Sequence, residues 1–323
     1  MKITILGFDI WGYVGEIAKF LEKQGHEVHF INSTLYQFPH RNILFKSKNF
    51  FAKTFLSKNL KKENRDAEIS KLIKGNQDFT LIVNPGEYNN KLLAQIRNST
   101  NILVGWNYDS AKRKKITSFH TTIFDQLLTF DRIDALKREE LQFLPNFNYK
   151  EKTEISNQQF KYKAYTILNQ DFYRLKILNR IAQQLKGYPF LIQMKAKPLA
   201  GFAKEIEFLS EPLCFEKVGE YIQNSEIVLD ILSKGKYAQK GLSFRVYEAM
   251  SYQKKMITNN TDIVNYDFYN PKNIFVIDDV ENIVIPKSFL DGKYEPIPEA
   301  IYNRYTLEHW CETLLSIPKK VAN

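Results

Sequence analysis

QKGLSFRVYEAMSYQKKMITNN, residues 239–260, decides how the rest of the chain is read. Gln239-Lys240-Gly241 reads as a loop, the apolar run carrying only Arg245 and Glu248 as a helix, the basic stretch after it as a turn, and Lys255-Met256-Ile257-Thr258 as a strand. In a doubly wound α/β domain such a unit brings the helix N-terminus to the crevice outside the carboxyl ends of the strands, where ligands bind. The unpaired N–H groups and the dipole at that end suit a phosphate. Arg245 and Glu248 are three apart and share a helix face. One can pair with phosphate oxygens while the other accepts from hydroxyls, as a nucleotide and its ribose require. The competing reading is an i, i+3 ion pair on an ordinary helix.

Outward from this stretch the same alternation recurs. Upstream lie an apolar strand at 227–231, a helix at 215–222, a strand at 190–194, and an amphipathic helix at 174–186 with Leu175, Ile177, Leu178, Ile181 and Ala182 on its apolar side. A strand at 164–168 begins this half, a strand at 274–277 follows the central stretch, and a helix at 306–317 ends the chain. The first half opens with a strand at 2–7, a helix at 15–24 and a strand at 26–32, the start of a Rossmann-like unit. Its loop, GFDIWGYVGE, contains Gly7, Gly12 and Gly15, but their spacing is not G-x-G-x-x-G and no acid ends the second strand, so a dinucleotide fingerprint is absent. The loop is instead a candidate acceptor site, with Asp9 at the carboxyl end of the first strand or, alternatively, capping the helix. Strands at 79–84 and 101–106 follow, the second running into Asn107-Tyr108-Asp109-Ser110, with Asp109 just beyond a strand end; then come a strand at 125–129 and a helix at 134–140. The alternation predicts parallel sheets with helices on both faces. Residues 146–163 are polar and pattern-free and read as a linker. The expected organisation is therefore α/β: a Rossmann-like domain over 1–150, a second over 151–303, and a C-terminal helix over 304–323 that crosses back to the first, with the two domains facing each other across a cleft.

The bulk numbers bound the function. The chain has 323 residues, enough for two domains of roughly 150. No window approaches the roughly 18 to 20 apolar residues of a spanning helix, and the N-terminus reads as a first strand without a cleavage site, so an intracellular protein is expected. Cys214 and Cys311 form no motif with each other or with the histidines, which argues against a disulfide framework or a zinc site. The formal net charge of +10 fits nucleic acid, an anionic membrane surface or a phosphorylated substrate. Dispersed lysines and the lack of an RNP, helix-turn-helix or zinc motif set nucleic acid aside. Residues 46–65, KSKNFFAKTFLSKNLKKENR, interleave lysines with Phe50, Phe51, Phe55, Leu56 and Leu60. They read as a basic amphipathic segment for anionic lipid, or as an ordinary surface helix whose phenylalanines pack inward.

NILVGWNYDS (101–110), FDQLLTFDRIDALK (124–137), LQFLPNF (141–147), FYRLKIL (172–178), IVLDI (227–231), the central stretch, and YDFYNPKNIFVI (266–277) occur in a familiar order. In this the chain resembles bacterial glycosyltransferases of the GT-B architecture, in particular those of lipopolysaccharide, capsule and exopolysaccharide clusters related to CgeB-like transferases. The resemblance implies a nucleotide-sugar donor bound mainly to the C-terminal domain and a glycan or lipid-linked saccharide acceptor on the N-terminal one, in an enzyme of the cytoplasm or the inner membrane face. By position, Glu248 would bind the donor ribose, Arg245 and Arg174 would face the diphosphate, and Gly241 would let the backbone approach. Gln239 and Lys240 would line the sugar or phosphate, Asp230 would accept a hydrogen bond or anchor a loop, and Asn259 and Asn260 would make weaker contacts or shape a turn. No cofactor is implied. The sequence has no Asp-x-Asp, and a diphosphate held by helix N-termini and Arg/Lys instead of a metal is expected. An inverting transfer needs a base near the acceptor hydroxyl, for which Asp9 ranks first, Asp109 second and Glu87 third. Relatives that retain configuration often carry a second Glu seven residues before the ribose-binding one; here Gly241 stands there, and stereochemistry stays open. A nucleotide-sugar epimerase or hydrolase of the same fold, and a non-catalytic basic binding protein, are the alternatives.

Overall fold

The computed structural model describes residues 1–36, 43–55, 59–109, 116–153, 159–197, 201–203, 205–211, 213–235 and 239–320. It divides into two compact units, residues 1–145 with 307–323, and residues 146–306. Leu56, Ser110 and parts of the 146–163 and 232–238 segments lie outside the described residues.

The first unit runs β1 (Lys2–Gly7), α1 (Tyr13–Lys23), β2 (Glu27–Asn32), α2 (Ile43–Phe55), α3 (Leu60–Ser70), β3 (Gln77–Val83), α4 (Asn90–Ser99), β4 (Thr100–Asn107), α5 (Ser118–Ile123), β5 (Gln126–Thr129), α6 (Arg132–Lys137) and β6 (Leu141–Phe143). All strands pair parallel, in the order β2-β1-β3-β4-β5-β6. The order reverses at β1, so the switch point of this sheet lies between β1 and β3. After its first residue β1 is buried throughout, as a parallel strand covered on both faces must be. α1 buries Val14, Ile17, Ala18 and Leu21, an i, i+3, i+4, i+7 stripe. The segment 46–65 is not one helix but the end of α2 and the start of α3.

The second unit runs β7 (Tyr162–Asn169), α7 (Phe172–Gln184), β8 (Phe190–Lys195), β9 (Ile206–Leu209), α8 (Phe215–Gln223), β10 (Ser225–Asp230), α9 (Phe244–Ser251), β11 (Lys255–Thr258), β12 (Ile274–Val276), α10 (Lys287–Asp291) and α11 (Glu299–Tyr302). Its parallel sheet has the order β12-β11-β10-β7-β8-β9, that of a doubly wound dinucleotide fold with its switch point between β7 and β10. The expected apolar stripe of α7 is buried in full. β9 was not anticipated, because its four residues are half-exposed and carry no alternation. Lys255, a lysine within a buried strand, is fully enclosed. Its Nζ donates to the carbonyls of Phe289, Leu290 and Gly292, closing the end of α10, and pairs with Glu226 at 3.3 Å.

α12 (Leu307–Leu315) belongs to the first unit and packs on α1. There Trp310 meets Trp106 of β4 edge-on, with ring centroids 4.8 Å apart.

The described part of 146–163 corrects the linker reading. Residues 146–153 are sewn onto α9: Asn146 Nδ2 donates to the Leu242 carbonyl at 2.9 Å, Phe147 is fully buried against Phe244, and Asn148 bonds Ser251 and Tyr302. Thr153 N donates to the Ser251 carbonyl at 2.9 Å. Polarity misled here, because this backbone is satisfied by long-range partners instead of water.

Candidate functional sites in the two units

In the second unit, β10 ends at Asp230 and α9 begins after Ser243, and these two residues meet. Ser243 is the N-cap: its Oγ accepts from Arg245 N at 3.2 Å and donates to Asp230 Oδ1 at 2.8 Å. Asp230 is 8% exposed, and its Oδ2 has no hydrogen-bond partner among the described residues. Burial raises the Asp230 carboxyl above the usual carboxylate value, while the Ser243 hydroxyl and then the charges of Arg245 and Arg174 pull it down. Both arginines expected at a diphosphate therefore act on one carboxylate.

Arg174 comes from the other side of the switch point, on the first turn of α7. Its guanidinium lies 3.3 Å from Asp171, the N-cap of α7, and donates to the Asn169 carbonyl. Burial pushes Asp171 up, but bonds from Ser233, in the loop after β10, and from Arg174 N bring it below the usual value. Ser233 and Asp171 thus tie the β10 and β7 loops to each other.

Glu248 is 4% exposed, one turn into α9. Arg245 lies 2.8 Å from its Oε2, so the i, i+3 ion pair of the competing reading is present. No aligned hydrogen bond accompanies this contact. Tyr149, on the 146–153 segment, donates its hydroxyl to Oε1 at 2.5 Å. An ionised carboxylate offers about four lone-pair sites, so these contacts leave acceptor capacity on both oxygens.

Gln239 is half-buried, Lys240 exposed and Gly241 buried on the loop entering α9. Asn259 and Asn260 hold loops: Asn259 exchanges bonds with the backbone of Leu232, and Asn260 Nδ2 donates to the Lys240 carbonyl at 2.8 Å. Of the residues expected here, Arg174, Asp230, Arg245 and Glu248 come together, while the two asparagines shape turns. Ser243 and Tyr149 were not among them. Ser243 carried a signal, a serine just before a helix; Tyr149, in a polar stretch with no periodicity, carried none.

The first unit gathers its own cluster at the ends of β1, β3 and β4. Asp9 receives Val14 N on Oδ1 at 3.2 Å and Gly15 N on Oδ2 at 2.8 Å, so it closes the first turn of α1. A Cβ on Gly15 would lie 3.1 Å from Asp9 Oδ2, and Gly12 holds the left-handed φ of 80°; the glycines shape a cradle for a carboxylate. Burial raises the Asp9 carboxyl above its usual value, against the lowering by the N–H groups of Gly15, Val14 and Gly12. Tyr108 donates to the Phe8 carbonyl at 3.1 Å. Its hydroxyl is pushed up to about 12 by burial and then by the charges of Asp9, Asp109 and Glu87, so all three expected bases surround this ring. Glu87 pairs with Lys62 at 2.8 Å. Among the described residues no group of three or more His, Cys, Asp or Glu is arranged to hold a metal ion, and no helix is long and apolar enough to cross a membrane.

The raised carboxyl of Asp230 has a measurable consequence. A group with a raised folded-state pKa binds its proton more tightly when folded, so its contribution to stability falls as pH rises from the unfolded value near 3.8 through the folded one. The Tm of Asp230→Asn relative to the parent is expected to climb across that window in a thermal-melt series; a pH-independent difference would show that Asp230 is not desolvated in solution.

No protein-family model and no curated protein matches the chain. Solved structures do match over nearly its whole length. Sucrose-phosphate synthase from Thermosynechococcus elongatus aligns with TM-score 0.60 and 10% identity over 97% of each chain. The apo form of the lipopolysaccharide outer core galactosyltransferase WaaB aligns with TM-score 0.56 and 14% identity over 98% of this chain and 99% of its own. T4 phage BGT in complex with its UDP-glucose substrate aligns with TM-score 0.50 and 12% identity over 97% and 98%. The chain therefore has the fold of GT-B glycosyltransferase structures, two parallel six-stranded α/β sheets of Rossmann type.

Proposed function

We propose that the protein is a glycosyltransferase that moves a sugar from a nucleoside diphosphate donor to a glycan or lipid-linked saccharide of a bacterial surface polysaccharide. The observation that carries this reading is the meeting of Arg174, Arg245 and Glu248 around the N-cap of α9 at the β7/β10 switch point. Two cations and a helix N-terminus match a diphosphate, and a buried carboxylate with lone pairs to spare matches the vicinal hydroxyls of ribose. T4 phage BGT in complex with its UDP-glucose substrate and the galactosyltransferase WaaB, whose fold the chain shares, support the same reading.

In this account the glycosidic carbon–oxygen bond to the diphosphate breaks as the acceptor oxygen bonds to the same carbon. Arg174, Arg245 and the α9 N-terminus take up the charge developing on the departing diphosphate. They do so without a metal, so a chelator leaves turnover unchanged. The acceptor hydroxyl gives its proton to Asp9, whose carboxyl is raised toward the range of a working base; Asp109 stands second. Gln239, Lys240 and Gly241 line the donor from the loop, and Asn259 and Asn260 hold that loop in place.

Tyr149 positions Glu248 in this account. Tyr149→Phe deletes a bond to a charged acceptor, worth about 2 kcal/mol. The expected result is a folded variant of lower Tm whose donor KM rises more than kcat falls. An unchanged KM would leave Tyr149 a purely structural clamp. The function itself is tested by incubating the protein with UDP-, GDP- and CMP-sugars, with and without saccharide acceptors. Release of nucleotide that depends on acceptor is expected; release at the same rate without acceptor would identify a hydrolase, and an altered sugar still joined to its nucleotide would identify an epimerase.

A further inference from the structure

α2 is a basic aromatic helix that the proposed reaction does not use. In an ordinary surface helix its phenylalanines would face the protein and its lysines the water. In the structure the phenylalanines face the water together with the lysines. Asn49 and Ala52, three apart, are 2% and 6% exposed, and Asn49 Oδ1 accepts Leu60 N at 2.9 Å, tying α2 to the start of α3. Phe50, Phe51 and Phe55 stay 64%, 59% and 72% exposed. Phe51 and Phe55 stack at 5.7 Å, and Phe50 stands edge-on to Phe51 at 6.2 Å. One exposed apolar side chain needs no explanation, but three adjoining rings on one helix face form a patch.

The charge around the patch names its partner. From residue 28 to residue 62 the sequence contains no Asp or Glu. Lys46 and Lys48 are exposed; Lys48 precedes Phe51 by three residues and Phe55 by seven, and Lys46 precedes Phe50 by four, so both lysines border the aromatic face. A second copy of the chain would oppose lysine to lysine with no acid in this stretch to relieve the repulsion. A soluble polyanion would meet the lysines and leave the rings in water. A bilayer satisfies both features, because rings enter at headgroup depth while lysine amines reach the lipid phosphates. At 13 residues the helix is roughly 20 Å long, suited to lying in the interface.

We propose that α2 docks the protein on an anionic phospholipid surface, Phe50, Phe51 and Phe55 entering the interface and Lys46 and Lys48 contacting lipid phosphates. This rests on the exposed face of α2 and holds whether or not the protein transfers sugar.

The test is flotation of the full chain at low salt with vesicles of phosphatidylcholine alone or with one third phosphatidylglycerol. The parent is expected to float with the anionic vesicles only. The triple variant Phe50→Ser, Phe51→Ser, Phe55→Ser should lose about tenfold or more in partitioning with its Tm unchanged, since the rings are exposed. Lys46→Gln with Lys48→Gln should lose about tenfold, and added salt should weaken the parent. Four outcomes overturn the proposal: no flotation of the parent, equal flotation with neutral vesicles, a triple variant that floats like the parent, or a concentration-dependent dimer abolished by the triple variant without any vesicle binding.

Discussion

Glu248→Gln is expected to leave the protein folded and to weaken nucleotide binding by roughly a hundredfold. The side chain keeps its shape, its Oε1 still accepts from the Tyr149 hydroxyl, and the helix N-cap at Ser243 is untouched. What goes is the charge. Hydrogen bonds to charged acceptors contribute about 1.5 to 3 kcal/mol each, and two ribose hydroxyls on one carboxylate amount to about 3 kcal/mol or more. At about 1.4 kcal/mol per tenfold, that is roughly two orders of magnitude in Kd. Glu248→Ala is a poorer probe, because it also removes the acceptor of the Tyr149 hydroxyl and leaves a cavity beside a buried helix. Titration of nucleoside diphosphate into parent and variant by calorimetry reads the effect directly. Equal affinity would return the Arg245–Glu248 pair to a plain structural ion pair.

Asp9→Asn is expected to act on the other half of the reaction. General-base catalysis contributes about 10² to 10⁴ in rate, so kcat should fall by that range while nucleotide affinity in the second unit stays as it was. The amide oxygen still accepts one of the two N–H bonds that close α1, so the loss of the charged cap costs no more than about 1 kcal/mol. A base must be ionised to work, so parent activity should fall as pH drops through the raised Asp9 value and stay level above it. If Asp9→Asn turns over like the parent, the residue only closes a helix, and Asp109 becomes the residue to replace, since it flanks Tyr108 with Asp9 and Glu87.

Much of this was readable from pattern, and the exceptions share a cause. The loop, helix and strand of 239–260 and the apolar stripe of α7 are local signals, and they led to the second sheet and to Arg245 and Glu248, while Arg174 entered only through the resemblance. Asp9 sat where a strand ends, and both roles weighed for it draw on the same carboxylate: it closes α1, and it stands beside the other acids around Tyr108. Contacts that join distant segments were illegible. Tyr149 reaches Glu248 across 99 positions of sequence, and Asn148 reaches Tyr302 across 154, from a stretch whose composition imitates a linker. Asn259 and Asn260 follow β11, next to the proposed donor site, yet their amides hold the backbone of Leu232 and Lys240. The orientation of α2 was undetermined for a related reason. Helical periodicity states which side chains share a face, and only the buried Asn49 and Ala52 tell which face turns inward.

In the proposed function the crevice between β7 and β10 holds a nucleoside diphosphate. The most direct test of this is calorimetric titration of UDP, GDP, CDP and ADP into the parent and into Arg174→Ala with Arg245→Ala. One of the four nucleotides is expected to bind the parent at micromolar Kd and to lose at least a hundredfold in the double variant, each arginine–phosphate contact being worth about 1.5 to 3 kcal/mol. No binding by any nucleotide, or binding that survives removal of both arginines, would contradict it.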